Sequence, residues 1–383
     1  MRLVDIAAAL PLAIWLYLLL LRGRFWLPRE LPEPARPARA GVIAVMPARD
    51  EAATIGRAVR SLLEQELSVP LQLIVVDDGS TDGTADAARA AAVAVGAAGR
   101  LIVLQGAPLQ QGWTGKLWAL SQGVAVAGRL SADYLLFTDA DIEHDRHAVA
   151  TLLGHAVEHR LDMVSLMVRL STASFAERCL IPAFVFFFLK LYPPRWIASA
   201  RSAVAGAAGG CILIRPPALE RAGGLGAIRS RIIDDCALAG IVKASGGSLV
   251  LALTRRSRSL RVYGTFREIG AMISRTAFNQ LRHAWWLLAA TLLGLGVTYL
   301  APPLLAWSRQ PIAGCAAGAW ALMTLCYLPM VRFYRVSPLY ALLLPAVALF
   351  YAGATLHSAV RFALGRGGQW KGRAQDVRAA GGA

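Results

Sequence analysis

Leu73-Ile-Val-Val-Asp77-Asp78-Gly-Ser-Thr-Asp82-Gly83 is the stretch on which the fold turns. An apolar run stops abruptly at two carboxylates and a turn of small polar residues. A strand exposed on one face would alternate; an unbroken run reads as a strand buried on both faces, as in a parallel sheet. The pattern recurs at Tyr134-Leu-Leu-Phe-Thr-Asp139-Ala-Asp141. In open α/β sheets, ligands bind beyond the carboxyl ends of the strands. Carboxylates there can hold a divalent metal, hydrogen-bond a ribose or act as a base. The expectation is an enzyme that handles a polyanion through a metal.

Working outward, further strands are predicted at 42–46, 71–76, 101–104, 134–137, 163–168, 212–214 and 249–253. Helices are predicted between several of them, at 54–64, 84–95, 116–126 and 146–158. Strand–helix alternation of this kind argues for an α/β, parallel, doubly wound sheet.

The composition adds a membrane. The chain has 383 residues, 56% of them hydrophobic and 17% charged, where a soluble domain carries about 25% charged residues. Its net charge of +16 gathers beside apolar segments, in the clusters 22–39, 255–282 and 361–378. That is the positive-inside signature, and it suits anionic headgroups. Nucleic acid is not expected, because these arginines interleave poorly with stacking aromatics. Cys179, Cys211, Cys236, Cys315 and Cys326 show no CxxC spacing, which argues against a zinc or disulfide framework and fits a reducing compartment.

The run 6–21 is apolar, with Asp5 before it and arginines after it. A signal peptide has the reverse charge order and a small-residue cleavage site, so an uncleaved anchor is predicted. A proline-rich linker follows at 31–37. After Trp285, the runs 287–307, 311–330 and 339–355 each approach the length needed to cross a bilayer. With three crossings the basic tail would lie outside, against the charge rule; a re-entrant turn at Pro302-Pro303 would repair the count, and the residues leave this open. The segment 179–192, with Phe184, Phe186, Phe187 and Phe188, is too short to span. It reads either as a buried core helix or as an interfacial helix guiding a lipid acceptor.

Among the motifs, the Asp77-Asp78 turn lacks the G-x-G-x-x-G of a dinucleotide site, and Gly112-Trp-Thr-Gly115-Lys116 lacks the first glycine of a P-loop. What remains is acidic turns without phosphate-cradling glycines, so a bound metal would neutralise a diphosphate. Hard oxygen donors suit Mg²⁺ or Mn²⁺. A third pair, Asp234-Asp235, opens a helical pattern and reads either as an N-cap or as a general base.

In this order the acidic stations resemble family 2 glycosyltransferases with the GT-A fold. Val45-Met-Pro47-Ala48-Arg-Asp50-Glu51 resembles the family's opening Pro-x-x-Asn-Glu turn, with Asp50 for Asn. The resemblance implies nucleotide contacts from Pro47, Ala48 and Glu51, and base or ribose recognition by Asp77 or Asp78. It implies a metal-binding Asp-x-Asp at Asp139 and Asp141, and a glycine segment beside the donor sugar at Gly209 and Gly210. Lys116 joins the donor-binding set. Asp234-Asp235 matches the family's Glu-Asp pair, whose second member is the catalytic base, here Asp235. The next family motif, Gln-x-x-Arg-Trp, is broken: Asn279-Gln280-Leu-Arg282-His283-Ala-Trp285 keeps the glutamine without the Arg-Trp spacing. Gln280 and Arg282 are counted with the donor-binding residues, with Arg282 or His283 expected to contact the diphosphate and a basic collar at the membrane face the alternative for Arg282; an intact motif is typical of polymer-making members.

Gly112-Trp-Thr-Gly-Lys-Leu-Trp118, Val164-Ser-Leu-Met-Val-Arg-Leu170, Leu180-Ile-Pro-Ala-Phe-Val-Phe-Phe-Phe188 and Ile233-Asp-Asp-Cys-Ala-Leu-Ala239 are similar to hopanoid-biosynthesis-associated glycosyltransferases, which are similar in turn to ceramide glucosyltransferases. The organisation implied is an anchor at 1–25, a GT-A domain at 40–284, a membrane region at 285–360 and a basic tail at 361–383. The expected activity is inverting transfer from a nucleotide diphosphate sugar, with UDP favoured, to a lipid hydroxyl such as a hopanoid's. The setting would be a bacterial-type inner membrane with the catalytic domain in the cytoplasm. Transfer to a polyprenyl phosphate is the alternative, for which the arginines 255–261 would suit the anionic acceptor. A degenerate, non-catalytic membrane scaffold is the alternative of another class.

Overall fold

The structure is a computed structural model that describes residues 3–365, 369–370 and 373–374, with the side chains of 3–8, 369–370 and 373–374 left out. Most of the basic tail, including Arg366, Lys371 and Arg378, therefore lies outside the described residues.

The described residues form two compact units, one of 29–170, 196–261, 369–370 and 373–374, the other of 3–28, 171–195 and 262–365. The first holds a GT-A sheet of eight strands: β1 (Val42–Ala48), β2 (Gln72–Asp77), β3 (Leu101–Gln105), β4 (Tyr134–Thr138), β5 (Ile142–His144), β6 (Met163–Arg169), β7 (Cys211–Ile214) and β8 (Leu249–Ser259). Their order is β3-β2-β1-β4-β7-β6-β8-β5. The half β3-β2-β1-β4 is parallel, as the apolar runs predict. β7 runs antiparallel between β4 and β6, and β5 antiparallel to β8. A fully buried strand reads alike in either direction, so its residues do not carry its sense. β5, three residues long, is too short to leave a periodic signal.

Helices cover both faces. Val42, Ala44, Met46 and Ala48 of β1 join one core with Ile55, Val59 and Leu62 of the helix Ala52–Leu63, Ala88 of Thr84–Ala94 and Leu152 of Ala148–Glu158. On the other face the helix Gly115–Ala127 lies so close that a Cβ at Gly123 would sit 2.3 Å from Val45 Cγ1.

The second unit is helical. Trp285–Leu305, Ile312–Phe333 and Pro338–Ala363 are each long and apolar enough to cross a membrane; the N-terminal helix Leu3–Leu20 is shorter. The helix Phe175–Leu191 also belongs here. Its start is fastened by Glu177, fully buried, which accepts from Ser171 Oγ (2.9 Å), Ser174 N (3.0 Å) and Tyr263 N (2.6 Å). Phe186 meets Phe25 and Tyr327, and Phe187 meets Tyr299 and Tyr351. Of the two sequence readings of this segment, its burial is that of a core helix of the helical unit. The expected 40–284 domain is thus corrected: it ends at 261 and is interrupted by 171–195. The capped carboxylate and the aromatic contacts bind those segments to the other helices.

Candidate active site

β1 pairs with β2 from Ile43 to Ala48 but with β4 only as far as Val45 opposite Phe137. Beyond that pair the two strands part, at the place in the sheet order where the winding reverses. A crevice opens there, as expected at such a switch point. Pro47 falls just past the last rung with β4, where a missing N–H breaks no ladder bond on that side. The crevice is lined by Pro47, Lys116, Thr138, Asp139, Gly209, Asp234 and Asp235, with Leu117, Leu120, Leu225, Ile228 and Leu238 behind them.

On the β1–β2 side two loops are knitted together. Asp50 takes a left-handed backbone (φ 48°), held by its N–H on Ser80 Oγ (3.0 Å) and by Thr81 N on its carboxylate (2.9 Å). Asp77 accepts from Ser80 N at 2.9 Å. Asp78 lies 3.6 Å from Arg49 Nη1, and both aspartates are buried. Gly106 closes against them: a Cβ there would meet Asp77 O at 2.9 Å.

The β4 side carries the densest charge. Lys116, in the first turn of Gly115–Ala127, lies 2.8 Å from Asp139 and 3.6 Å from Asp234. Burial opposes its charge, but Asp139, Asp234 and Asp235 outweigh that and hold it well above the usual lysine range. Asp235 accepts from Gly209 N (2.9 Å) and Cys236 N (2.7 Å). Its carboxyl is nevertheless pushed up to about 6, first by burial and then by Asp234, against the pull of Lys116 and the two N–H groups. Glycine at 209 permits this approach, since a Cβ would stand 3.3 Å from Lys116 Nζ and 3.4 Å from Asp235 Oδ2.

Behind Asp139, Thr138 donates to Gly210 O at 3.0 Å and faces His144 Nε2 at 3.0 Å, while Ser257 Oγ meets His144 Nδ1 at 2.8 Å. Burial pushes His144 down to about 4, so the ring is neutral and bridges β4, β5 and β8. Asp141 is pushed up to about 6 by burial and by Asp139. It faces Arg261 Nε at 3.2 Å, and Arg261 Nη2 reaches Glu51 at 3.0 Å.

The structure therefore brings Lys116, Asp139, Gly209, Asp234 and Asp235 together, and joins Asp141 to Glu51 through Arg261. Gln280 and Arg282 belong to the helical unit, where Gln280 donates to Tyr192 Oη. Two expectations change. Asp234 and Asp235 occupy the first turn of the helix Asp234–Ala244, but its cap residue is Ile233 and no side chain caps it. The arginines 255–261 are not a free basic strip: Arg255 pairs with Glu30, Arg256 with Glu33 and Asp145, Arg258 with Glu143. Strand β8 carries them past acidic loops far away in sequence. Arg261 as a bridge was missed for that reason, and no local pattern marks it.

Among the described residues no group of three or more His, Cys, Asp or Glu side chains forms a metal cage. Asp139 and Asp141 nonetheless fit a hard divalent ion, since Mg²⁺ takes one or two carboxylates and fills its other positions with water and substrate phosphates.

Residues 43–222 match the family described as Glycosyl transferase family 2. A 4,4'-diaponeurosporenoate glycosyltransferase of Staphylococcus aureus is 37% identical over 111 residues, 29% of this chain; the chain spans 26% of the length of that curated relative. Among solved structures, the mannosyltransferase PcManGT from Pyrobaculum calidifontis, in complex with GDP-Man and Mn²⁺, superposes with a TM-score of 0.56 at 18% identity, covering 93% of this chain and 99% of that one. At that identity the likeness establishes the fold.

Proposed function

We propose, from the match of residues 43–222 to Glycosyl transferase family 2, that the protein is a membrane-bound inverting transferase. It moves a sugar from a nucleotide diphosphate sugar, UDP-linked by preference, to a lipid hydroxyl, a hopanoid being the acceptor class that the sequence favours. One observation carries the reading: Asp235, buried and held by two backbone N–H groups, shares the crevice at the β1/β4 switch point with Asp139 and Lys116.

In this reading Asp235 takes the proton of the acceptor hydroxyl as its oxygen forms a bond to the anomeric carbon. The bond from that carbon to the diphosphate breaks on the opposite face, and the nucleoside diphosphate leaves with the electron pair. A carboxyl raised to about 6 is a stronger base than an ordinary aspartate and still ionised at neutral pH. Asp139 and Asp141 would hold Mg²⁺ or Mn²⁺, which supplies neutralisation of the leaving diphosphate. Lys116 adds a fixed positive charge beside Asp139, and Asp77, Asp78 and Glu51 would engage the nucleoside.

A lipid acceptor is supported by the relative named for diaponeurosporenoate and by three apolar helices. The polyprenyl phosphate alternative loses its main support, because the arginines at 255–261 already pair with carboxylates. Incubating the purified full chain with UDP- and GDP-sugars and total membrane lipids, followed by mass spectrometry, should reveal a new glycolipid. Asp235→Asn should abolish transfer while retaining metal-dependent UDP binding; unchanged turnover would remove Asp235 from its role, and UDP binding indifferent to metal and to Asp141→Ala would remove the metal.

A further inference from the structure

Arg261 occupies Asp141, one of the two carboxylates assigned to the metal, and at the same time Glu51. The placement is built by the backbone. Ser259 of β8 pairs with Ile142 of β5, Leu260 N donates to Asp141 O at 2.7 Å, and Arg261 N donates to Ser259 Oγ at 3.2 Å. The residue that carries the guanidinium is thus held against the main chain of the very residue it neutralises. The neighbouring acid Glu143 is served by Arg57 and Arg258 instead.

The two acids are largely covered, with side chains 16% (Asp141) and 15% (Glu51) exposed, whereas Arg261 is 38% exposed. The guanidinium is therefore the part of the bridge with room to move. A carboxylate that coordinates a dication cannot keep a second cation at 3.2 Å without strong repulsion, so metal and Arg261 compete for Asp141. Once released, a guanidinium presents a rigid fork of donors that matches phosphate oxygens.

We propose that Arg261 is a partner-switching residue that couples metal binding to donor binding; this rests on the metal and diphosphate reading given above. Before a metal binds, Arg261 holds Asp141 in its place. When the metal arrives, Arg261 swings about its contact with Glu51 and takes the diphosphate of the donor. Metal and nucleotide then bind cooperatively, because each removes a cost that the other would meet alone. By linkage, the nucleotide must tighten metal binding by the same factor as the metal tightens nucleotide binding.

The test measures Mn²⁺ binding by calorimetry and by the loss of the free-ion EPR signal, on purified full chain in detergent, with and without UDP. Wild type should bind Mn²⁺ weakly alone and about 5- to 150-fold more tightly with UDP, the usual span of a coupling between sites. Arg261→Gln should bind Mn²⁺ alone more tightly than wild type, with the UDP effect reduced towards unity. Arg261→Lys should leave Mn²⁺ binding alone near the wild-type value, because a cation still faces Asp141, but should shrink the UDP effect. The proposal is overturned if Arg261→Gln binds Mn²⁺ alone no more tightly than wild type, or keeps the full UDP effect. If Arg261→Gln does not fold, Arg261→Lys decides: a full UDP effect there also overturns it. Failure of the parent reading looks different: wild type would bind no Mn²⁺ even with UDP, or Asp141→Asn would bind as wild type does.

Discussion

Asp235, the proposed base, shows how the surroundings of a single residue set its acidity. Two N–H groups would by themselves keep its carboxyl acidic, yet burial and the adjacent Asp234 prevail and lift it to about 6. The sign follows: the proton stays on longer than in the unfolded chain, so the base form is lost as pH falls through about 6. Transfer rates with donor and metal saturating should be flat near neutrality and drop about tenfold per pH unit below about 6, as for a single ionisation. The same shift makes the native state bind the extra proton between the ordinary aspartate range and about 6, so this group's contribution to stability declines as pH rises through that window. A rate profile centred near 4 would mean that another group limits the reaction.

At the scale of an element, the first apolar span explains how a helix carries two adjacent prolines. Its middle is a π-helical segment, Gly296–Leu300, followed by Ala301–Leu305. The carbonyl of Thr298 would be met by residue 302 in α geometry or by residue 303 in π geometry, and both are proline without an N–H. Trp15 resolves this by donating its indole N–H to Thr298 O at 2.8 Å from the N-terminal helix. The helix runs on through Pro302-Pro303, and the sequence-level idea of a re-entrant turn there gives way. Trp15→Phe leaves the carbonyl unsatisfied and should cost about 1–3 kcal/mol. Adding Pro302→Ala restores a donor and should recover part of that loss in thermal unfolding of the detergent-solubilised protein. Strictly additive effects of the two substitutions would show that the indole is not the carbonyl's partner.

At the scale of the whole molecule, contacts inside the helical unit bear on where the C-terminus of the last apolar helix lies. Trp286 and Trp307 stand exposed 21 residues apart, about 31 Å along a helix, close to the ~30 Å hydrocarbon core. If Trp285–Leu305 and Ile312–Phe333 both cross, the end of the second lies on the face where the first begins. The far end of Pro338–Ala363 lies beside the start of the first helix. Ser358 Oγ accepts from Phe278 N at 3.1 Å, and Phe362 stacks on His283 at 4.1 Å, just ahead of Trp285. Arg282 and Arg361 therefore stand at the end where the first apolar helix begins, and Arg309 follows its other end. Basic residues beside that first end fit the charge rule for an inner face. A C-terminal green fluorescent protein fusion should fluoresce and an alkaline phosphatase fusion should be inactive in cells; the opposite pair would require three full crossings.

The sequence by itself determined the parallel half of the sheet, the acidic stations, and the apolar lengths sufficient to cross a bilayer. Each of these rests on a local pattern: an unbroken apolar run, carboxylates at its end, a stretch as long as a membrane is thick. Only the tertiary structure decided the antiparallel sense of β7, the removal of 171–195 to the helical unit, and the pairing of Lys116 with Asp139 and Asp234. The same holds for Arg261, which meets Asp141 and Glu51 across 120 and 210 residues of chain. Such pairings are settled by which strand lies beside which, and Coulomb attraction at 3 Å leaves no periodic trace in the order of residues.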